Sequence, residues 1–199
     1  MHPNPAFHWD DRAAMRQLVA QVGFGALFAA TPDGPRVAHL PVVWIDDDTI
    51  GLHIARGNGL TRHLDGATAL FTVIGPDGYI SPDWYGLDAD QVPTWNYVAV
   101  ELEGRIRRMD RDALLAQIDQ LSAEQEAPLP KMPWTRAKAD PKKIDAMLNA
   151  IVGFRLEVTA WRGTIKLGQN KPAAARLAAA DGVEASGRRG IAHWMRSIA

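Results

Sequence analysis

Two short runs concentrate side chains able to hold a flat molecule with polar edges: Tyr79-Ile80-Ser81-Pro82-Asp83-Trp84-Tyr85 and Val92-Pro93-Thr94-Trp95-Asn96-Tyr97. Their rings offer flat apolar area, their hydroxyls and amides offer directed hydrogen bonds, and proline stiffens the backbone between them. Trp and Tyr beside Pro also anchor loops to a core, so these runs alone leave both readings open. A third run, His53-Ile54-Ala55-Arg56-Gly57-Asn58-Gly59-Leu60-Thr61-Arg62, reads as a strand, a glycine-flanked break and the start of a helix. Unpaired N–H groups at a helix start, with Arg56, Arg62, Asn58 and Thr61 around them, would suit a phosphate monoester. A capped surface helix with ordinary arginines fits the same residues. The run is neither a Walker loop nor a dinucleotide fingerprint. Within a strand, His39-Leu40-Pro41 is unusual because proline cannot donate to a ladder. Either that strand is at an edge, or its broken ladder faces a ligand. Near the C-terminal side, Lys166, Gln169 and Asn170 crowd a strand exit, where an amine and amides can reach the edge of a heterocycle or simply meet solvent.

Composition sets other chemistry aside. The 199 residues have a net charge of −1, are 47% hydrophobic and contain no cysteine. Thiolate nucleophiles, disulfides and cysteine-ligated metals are therefore excluded. The six histidines show no pair at helical metal-site spacing, so no metal site is expected. There is no Gly-x-Ser-x-Gly elbow and no recognisable helix-turn-helix. Basic clusters at residues 105–111, 131–143 and 188–196 are interleaved with carboxylates or lie on helices, so solvated faces are the default reading. The near-neutral charge gives nucleic acid or acidic lipid little attraction. Met1 to Trp9 are polar and broken by proline, no apolar run is long enough to span a bilayer, and a cytoplasmic protein is expected.

The elements that must position these residues follow from periodicity. Asp10 is predicted to cap a helix through about Val22, with Met15, Leu18, Val19 and Val22 on one face. Strands are predicted at 26–30, 37–45, 49–55 and 67–74, with a turn at Thr31-Pro32-Asp33-Gly34-Pro35 and a short helix at 59–64. A long loop is expected over 75–93, then an alternating strand to Met109. Asp110 is expected to cap a helix through Gln125, and Asp140 and Pro141 to start another ending near Ile151, followed by a strand or hairpin over 154–166, kinked near Gly163. Strands joined by short turns, with helices at the edges, point to a mainly β, antiparallel α+β fold: a small barrel decorated by helices. The expected organisation is a barrel domain over 1–171 and an Ala-rich helical tail over 172–199, interrupted around Gly182 to Gly190.

Six segments in register resemble the PaiB-type family of FMN-binding negative transcriptional regulators, within the FMN-binding split β-barrel group. They are Ala38-His39-Leu40-Pro41, His53-Ile54-Ala55-Arg56-Gly57-Asn58, the two aromatic runs, Ile151-Val152-Gly153-Phe154 and Lys166-Leu167-Gly168-Gln169-Asn170-Lys171. The resemblance implies a homodimer of split barrels with FMN at the subunit interface. It places the isoalloxazine against Ala38, His39, Leu40 and Pro41, and the phosphate near His53, Ala55, Arg56, Asn58, Thr61 and Arg62. Thr94, Trp95, Asn96, Lys166, Gln169 and Asn170 would close the pocket. The chain has Asn58-Gly59 where members often have Asn-Pro. The function the resemblance implies is that of a PaiB-like negative transcriptional regulator, with DNA as a partner unsupported by the charge; the alternatives are an FMN-dependent oxidoreductase acting on a small molecule, or a haem-binding or haem-degrading protein using His39 or His53. No catalytic residue is assigned.

Overall fold

The computed structural model describes residues 2–87 and 90–198. Seven strands form one antiparallel sheet in the order β1-β7-β4-β3-β2-β5-β6, and β6 pairs again with β7. Six strands thus close on one another as a barrel while β1 (His8–Trp9) adds to β7 (Ile151–Lys166). The hairpin of β2 (Phe24–Thr31) and β3 (Gly34–Trp44) turns at Gly34, where φ is +103° and the Thr31 hydroxyl donates to the Gly34 carbonyl. β4 (Thr49–Ala55) pairs with both β3 and β7. The remaining long strands are β5 (Thr68–Ile80) and β6 (Thr94–Arg108). Among the described residues, no helix is long and apolar enough to cross a membrane.

The chain divides into two compact units, each described by itself. One holds residues 19–72 and 102–161; the other holds 1–18, 73–101 and 162–199. In the first, Leu27, Ile50, Leu52, Ile54, Phe71, Leu102, Phe154 and Leu156 are buried at alternate strand positions. It also carries α2 (Arg111–Glu126) and α3 (Pro141–Asn149), capped by Asp110 and Asp140 as their side chains accept from Ala113 and Lys142 N–H groups. In the second, α4 (Ala173–Ala185) and α5 (Arg189–Ser197) bury Ala179, Ala180, Val183, Ile191 and Met195.

Several local expectations change. The helix α1 (Arg12–Val22) is capped by Asp11, whose carboxylate accepts from the Ala14 N–H at 3.0 Å, not by Asp10. β5 runs through Ile80, followed by a 3₁₀ turn at Pro82–Tyr85, so the supposed loop is structured well past residue 75. Gly75 and Gly78 make this extension possible: a Cβ at Gly78 would press on Arg188 and Ile191, one at Gly75 on Leu18 and Val98. β7 starts at Ile151 and passes Gly163 without a break, since Gly163 is where β1 approaches, leaving no room for a Cβ against the Trp9 carbonyl. The helical tail breaks at residues 186–188; Gly182 lies within α4, where a Cβ would collide with the Trp84 indole.

Candidate functional site

In the first unit, β3 and β4 part company. β4 pairs with β3 only through Val42, Val43 and Trp44, after which His53, Ile54 and Ala55 pair with β7 alone. The β3 segment from Gly34 to Pro41 keeps its β2 partner but has no ladder with β4. Pro41 stands beside the last paired residue, where the missing N–H costs the sheet nothing on that edge. Ala38 and Leu40 point into the core and His39 is exposed, so a backbone edge is open at the fork.

The turn after β4 lines the other side of this fork. Asn58 N–H donates to the Ala55 carbonyl, the Asn58 side chain accepts from Leu60 N–H at 2.9 Å, and the Thr61 hydroxyl donates to the Ala55 carbonyl at 2.8 Å. The expected helix at 59–64 is only a 3₁₀ turn, Thr61–His63. Its first N–H groups are therefore occupied locally, and positive charge here comes from arginine side chains instead of a helix dipole. Arg56 is partly committed: Nε donates to the Asn149 carbonyl at 2.7 Å and Nη2 to that of Ile151 at 3.2 Å. Arg62 reaches out, with Nη2 3.8 Å from Asp33.

Two cavities share Arg62. One, of about 390 Å³, is lined by Thr31, Asp33, Arg36, Val37, Asn58 and Leu60 among others. The second, of about 280 Å³, is lined by Arg56, Thr61, Asp65, Arg108, Val152 and Phe154. Four arginines thus meet two carboxylates, Asp33 and Asp65. Arg36 and Arg108 were missed from sequence because they belong to the hairpin tip and to the end of β6, and no local pattern ties them to residue 62. His53 lies elsewhere: its half-buried ring has Nδ1 3.4 Å from Nε2 of Gln117 on α2. Burial pulls its pKa below the ordinary value, partly offset by that contact.

The second unit holds the other predicted residues. Thr94, Asn96, Lys166 and Asn170 line one pocket of about 230 Å³ with Tyr85, Lys171, His2 and Phe7. Lys166 Nζ donates to the Thr94 hydroxyl at 2.6 Å. Trp95 lies on the alternate face of β6, donating to Asp77 at 2.9 Å beneath the Arg188 guanidinium. Gln169 folds back onto its own turn, accepting from Leu167 N–H and donating to the Ile165 carbonyl. Lys171 and Tyr85 join the pocket without having been singled out, although both sit in the quoted motifs. A larger cavity, about 800 Å³ beside α2 and α3, contains none of the predicted residues, and within each of its Arg111–Asp145 and Arg136–Asp119 pairs the charges neutralise each other.

Residues 1–160 match the model of a family described as "Putative FMN-binding domain". The protein belongs to this FMN-binding, PaiB-type family. FMN is accordingly its cofactor. The family member "Protease synthase and sporulation protein PAI 2" of Bacillus subtilis (strain 168) is 30% identical over 158 residues, covering 77% of this chain and 75% of that protein. Solved structures with the same fold include the FAD and haem binding protein from Mycobacterium smegmatis: TM-score 0.60, 18% identity, 81% of this chain and 74% of that one. The flavocytochrome Anf3 from Azotobacter vinelandii has a TM-score of 0.62 at 14% identity, over 84% of this chain and 73% of its own. The family's cofactor fits the fork: a phosphate dianion suits the guanidinium excess, and a flat ring suits an unpaired strand edge.

Proposed function

We propose that the protein is a homodimeric flavoprotein whose FMN lies along the fork between β3 and β4. Arg62, Arg56 and Thr61 hold the phosphate, and the backbone of Ala38 to Pro41 receives the ring. The observation carrying this reading is the convergence of Arg36, Arg56, Arg62 and Arg108 on two cavities beside an unladdered strand edge. Bound FMN supplies one- and two-electron redox chemistry. The chain's own part is to clamp the phosphate, to offer backbone donors and acceptors to the ring edge, and to limit water around it.

The second subunit is supported by the outward face of β3, β2 and β5. Register aligns Val37, Phe28 and Leu70 in one row and His39, Ala26 and Thr72 in the next. Phe24, Phe28 and Val37 are 51%, 40% and 45% exposed, a cluster of large apolar side chains that a second copy would cover about a two-fold axis.

The activity we assign is electron exchange with a small molecule. Two arginines of the C-terminal helical segment are ion-paired, Arg188 with Asp77 and Arg196 with Asp181 and Glu184, which leaves less free positive charge for a DNA-reading helix. A regulatory role of the kind seen in the family's name would run through the state of the flavin. The test is an absorption spectrum after FMN loading and desalting, then anaerobic NADH or NADPH titration, with DNA retention measured across a salt series. One retained flavin per subunit that bleaches with reductant supports the reading. Salt-dependent DNA retention with a flavin inert to both nucleotides would replace it with a direct regulator.

A further inference from the structure

We propose that the cavity of about 800 Å³ beside α2 and α3 is a second small-molecule site, taking a neutral aromatic molecule that carries a hydrogen-bonding group. Its lining lies wholly within the first unit and shares no residue with the two cavities at the fork, so the inference goes beyond the flavin reading. Leu115 on α2, Ile144 and Leu148 on α3, and Trp134 in the link between the helices supply its apolar walls. Apolar side chains around a common space ordinarily close on one another. Here each wall is fastened separately. Arg111, at the start of α2, reaches α3, its Nη2 donating to Asp145 at 2.6 Å and its Nη1 to the Asn149 side chain at 3.1 Å. Arg136, in the link, holds Asp119 of α2 with two parallel bonds of 3.0 and 2.8 Å. The Trp134 backbone N–H donates to the Glu126 carboxylate at 2.8 Å, and Lys138 Nζ to the Pro133 carbonyl at 2.7 Å. A space whose walls are held in place before anything enters spares a ligand the cost of ordering them.

The lining selects the ligand's charge and polarity. Its charged residues are two arginines and two aspartates, joined in the pairs Arg111–Asp145 and Arg136–Asp119. An ionic ligand would have to break one of these pairs or bring an uncompensated charge against apolar walls, and a neutral one does neither. Two hydroxyls complete the lining, those of Ser122 and Thr135. Thr135 stands at the N-cap of a 3₁₀ turn, Arg136–Lys138, yet its side chain makes no capping hydrogen bond. Among the described residues, neither hydroxyl has a hydrogen-bond partner. Each can give or accept one bond, so a ligand amine, hydroxyl or carbonyl would be met. The Trp134 ring is 39% exposed and stacks on no other ring among the described residues, leaving a flat face for an aromatic guest. Sites for drug-sized ligands occupy roughly 300–1,000 Å³, and about 800 Å³ admits a molecule of two or three rings.

N-Phenyl-1-naphthylamine and 8-anilinonaphthalene-1-sulfonate share one ring system and differ by a sulfonate, so together they test size, polarity and charge. Each is titrated by its fluorescence into the full-length, FMN-loaded protein. The neutral amine is expected to bind once per subunit, about ten-fold or more tighter than the sulfonate. Ala123 lines the cavity from the exposed surface of α2, so Ala123→Trp should fill the space and weaken the amine about ten-fold or more. Trp134→Ala should weaken it about ten-fold by removing the stacking face, while the tie to Glu126, made by the backbone N–H, survives. Flavin content, Tm and the mass in light scattering should match wild type in both variants. Absence of amine binding, equal affinity for the two dyes, or an affinity unchanged by both substitutions would overturn the proposal. A fall in mass in Ala123→Trp would also overturn it, by giving the cavity to a second copy of the chain. Should Ala123→Trp not fold, Trp134→Ala decides. Flavin occupancy is read independently, so failure here leaves the FMN reading standing or falling by itself.

Discussion

Arg62→Ala probes the phosphate site with little disturbance of the fold. The Arg62 side chain is 72% exposed and its ion pair with Asp33 spans 3.8 Å, with Asp33 63% exposed. Exposed pairs contribute roughly 0.2–1 kcal/mol, and one this long belongs at the low end. For a chain of this size that corresponds to a Tm change of about 1 °C. A charge-assisted hydrogen bond to phosphate contributes roughly 1.5–3 kcal/mol, so at ~1.4 kcal/mol per decade the Kd for FMN should rise about 10- to 100-fold. Arg56→Ala should behave differently. It loses the ligand contact together with the ties to the Asn149 and Ile151 carbonyls, which join the β4 exit to the start of β7. At about 1 kcal/mol for each tie, it should lower Tm by several degrees as well as weaken FMN. The assay is quenching of flavin fluorescence on titration into apo-protein at fixed ionic strength, run with FMN and with riboflavin, which lacks the phosphate. Both substitutions should spare riboflavin. An unchanged FMN Kd in Arg62→Ala, or equal losses for the two flavins, would refute the assignment of these arginines to the phosphate.

Other outcomes are expected from the same geometry. Phe28→Lys places a charge in the middle of the exposed β3–β2–β5 face, once per subunit, and should convert a dimer to a monomer in light scattering while the isolated chain stays folded. Gly104→Ala drives a methyl group into the Glu157 carbonyl of β7, so unfolding in urea should show a loss of about 2–3 kcal/mol or no folded protein at all. His53 is held below its ordinary pKa of 6.5 by burial. Its neutral form is favoured in the folded state, so its contribution is intact above pH 6.5 and is lost as pH falls from there to the folded-state pKa. Urea midpoints between pH 8 and 5 should fall less steeply in His53→Gln than in wild type, and parallel curves would remove His53 as the cause.

Hydrophobic periodicity carried most of the architecture. The Leu52–Ile54, Val98–Val100–Leu102 and Phe154–Leu156–Val158 alternations are buried as their two-residue period requires. Caps at Asp110 and Asp140 were equally legible, because a short acidic side chain before a helix meets a local need. What misled were residues that answer distant demands. Gly75-Pro76-Asp77-Gly78 has the composition of a turn, yet it is strand, because glycine is what fits beneath Leu18, Arg188 and Ile191. Asp10 and Asp11 offer the same carboxylate to α1, and the fold picks the second.

The sequence by itself determined the order of strands and helices, the family, the flavin, and the run of side chains from Arg56 to Arg62 that could meet a phosphate, since these depend on residue types at short spacing. The tertiary structure alone decided that β3 and β4 separate beyond the Val42–Leu52 pair, that Arg36 and Arg108 join Arg62, and that Asn96 is buried with its amide unmet. Each of those brings together positions tens of residues apart. Strand pairing and core packing fix such distances, and no local preference of the chain encodes them.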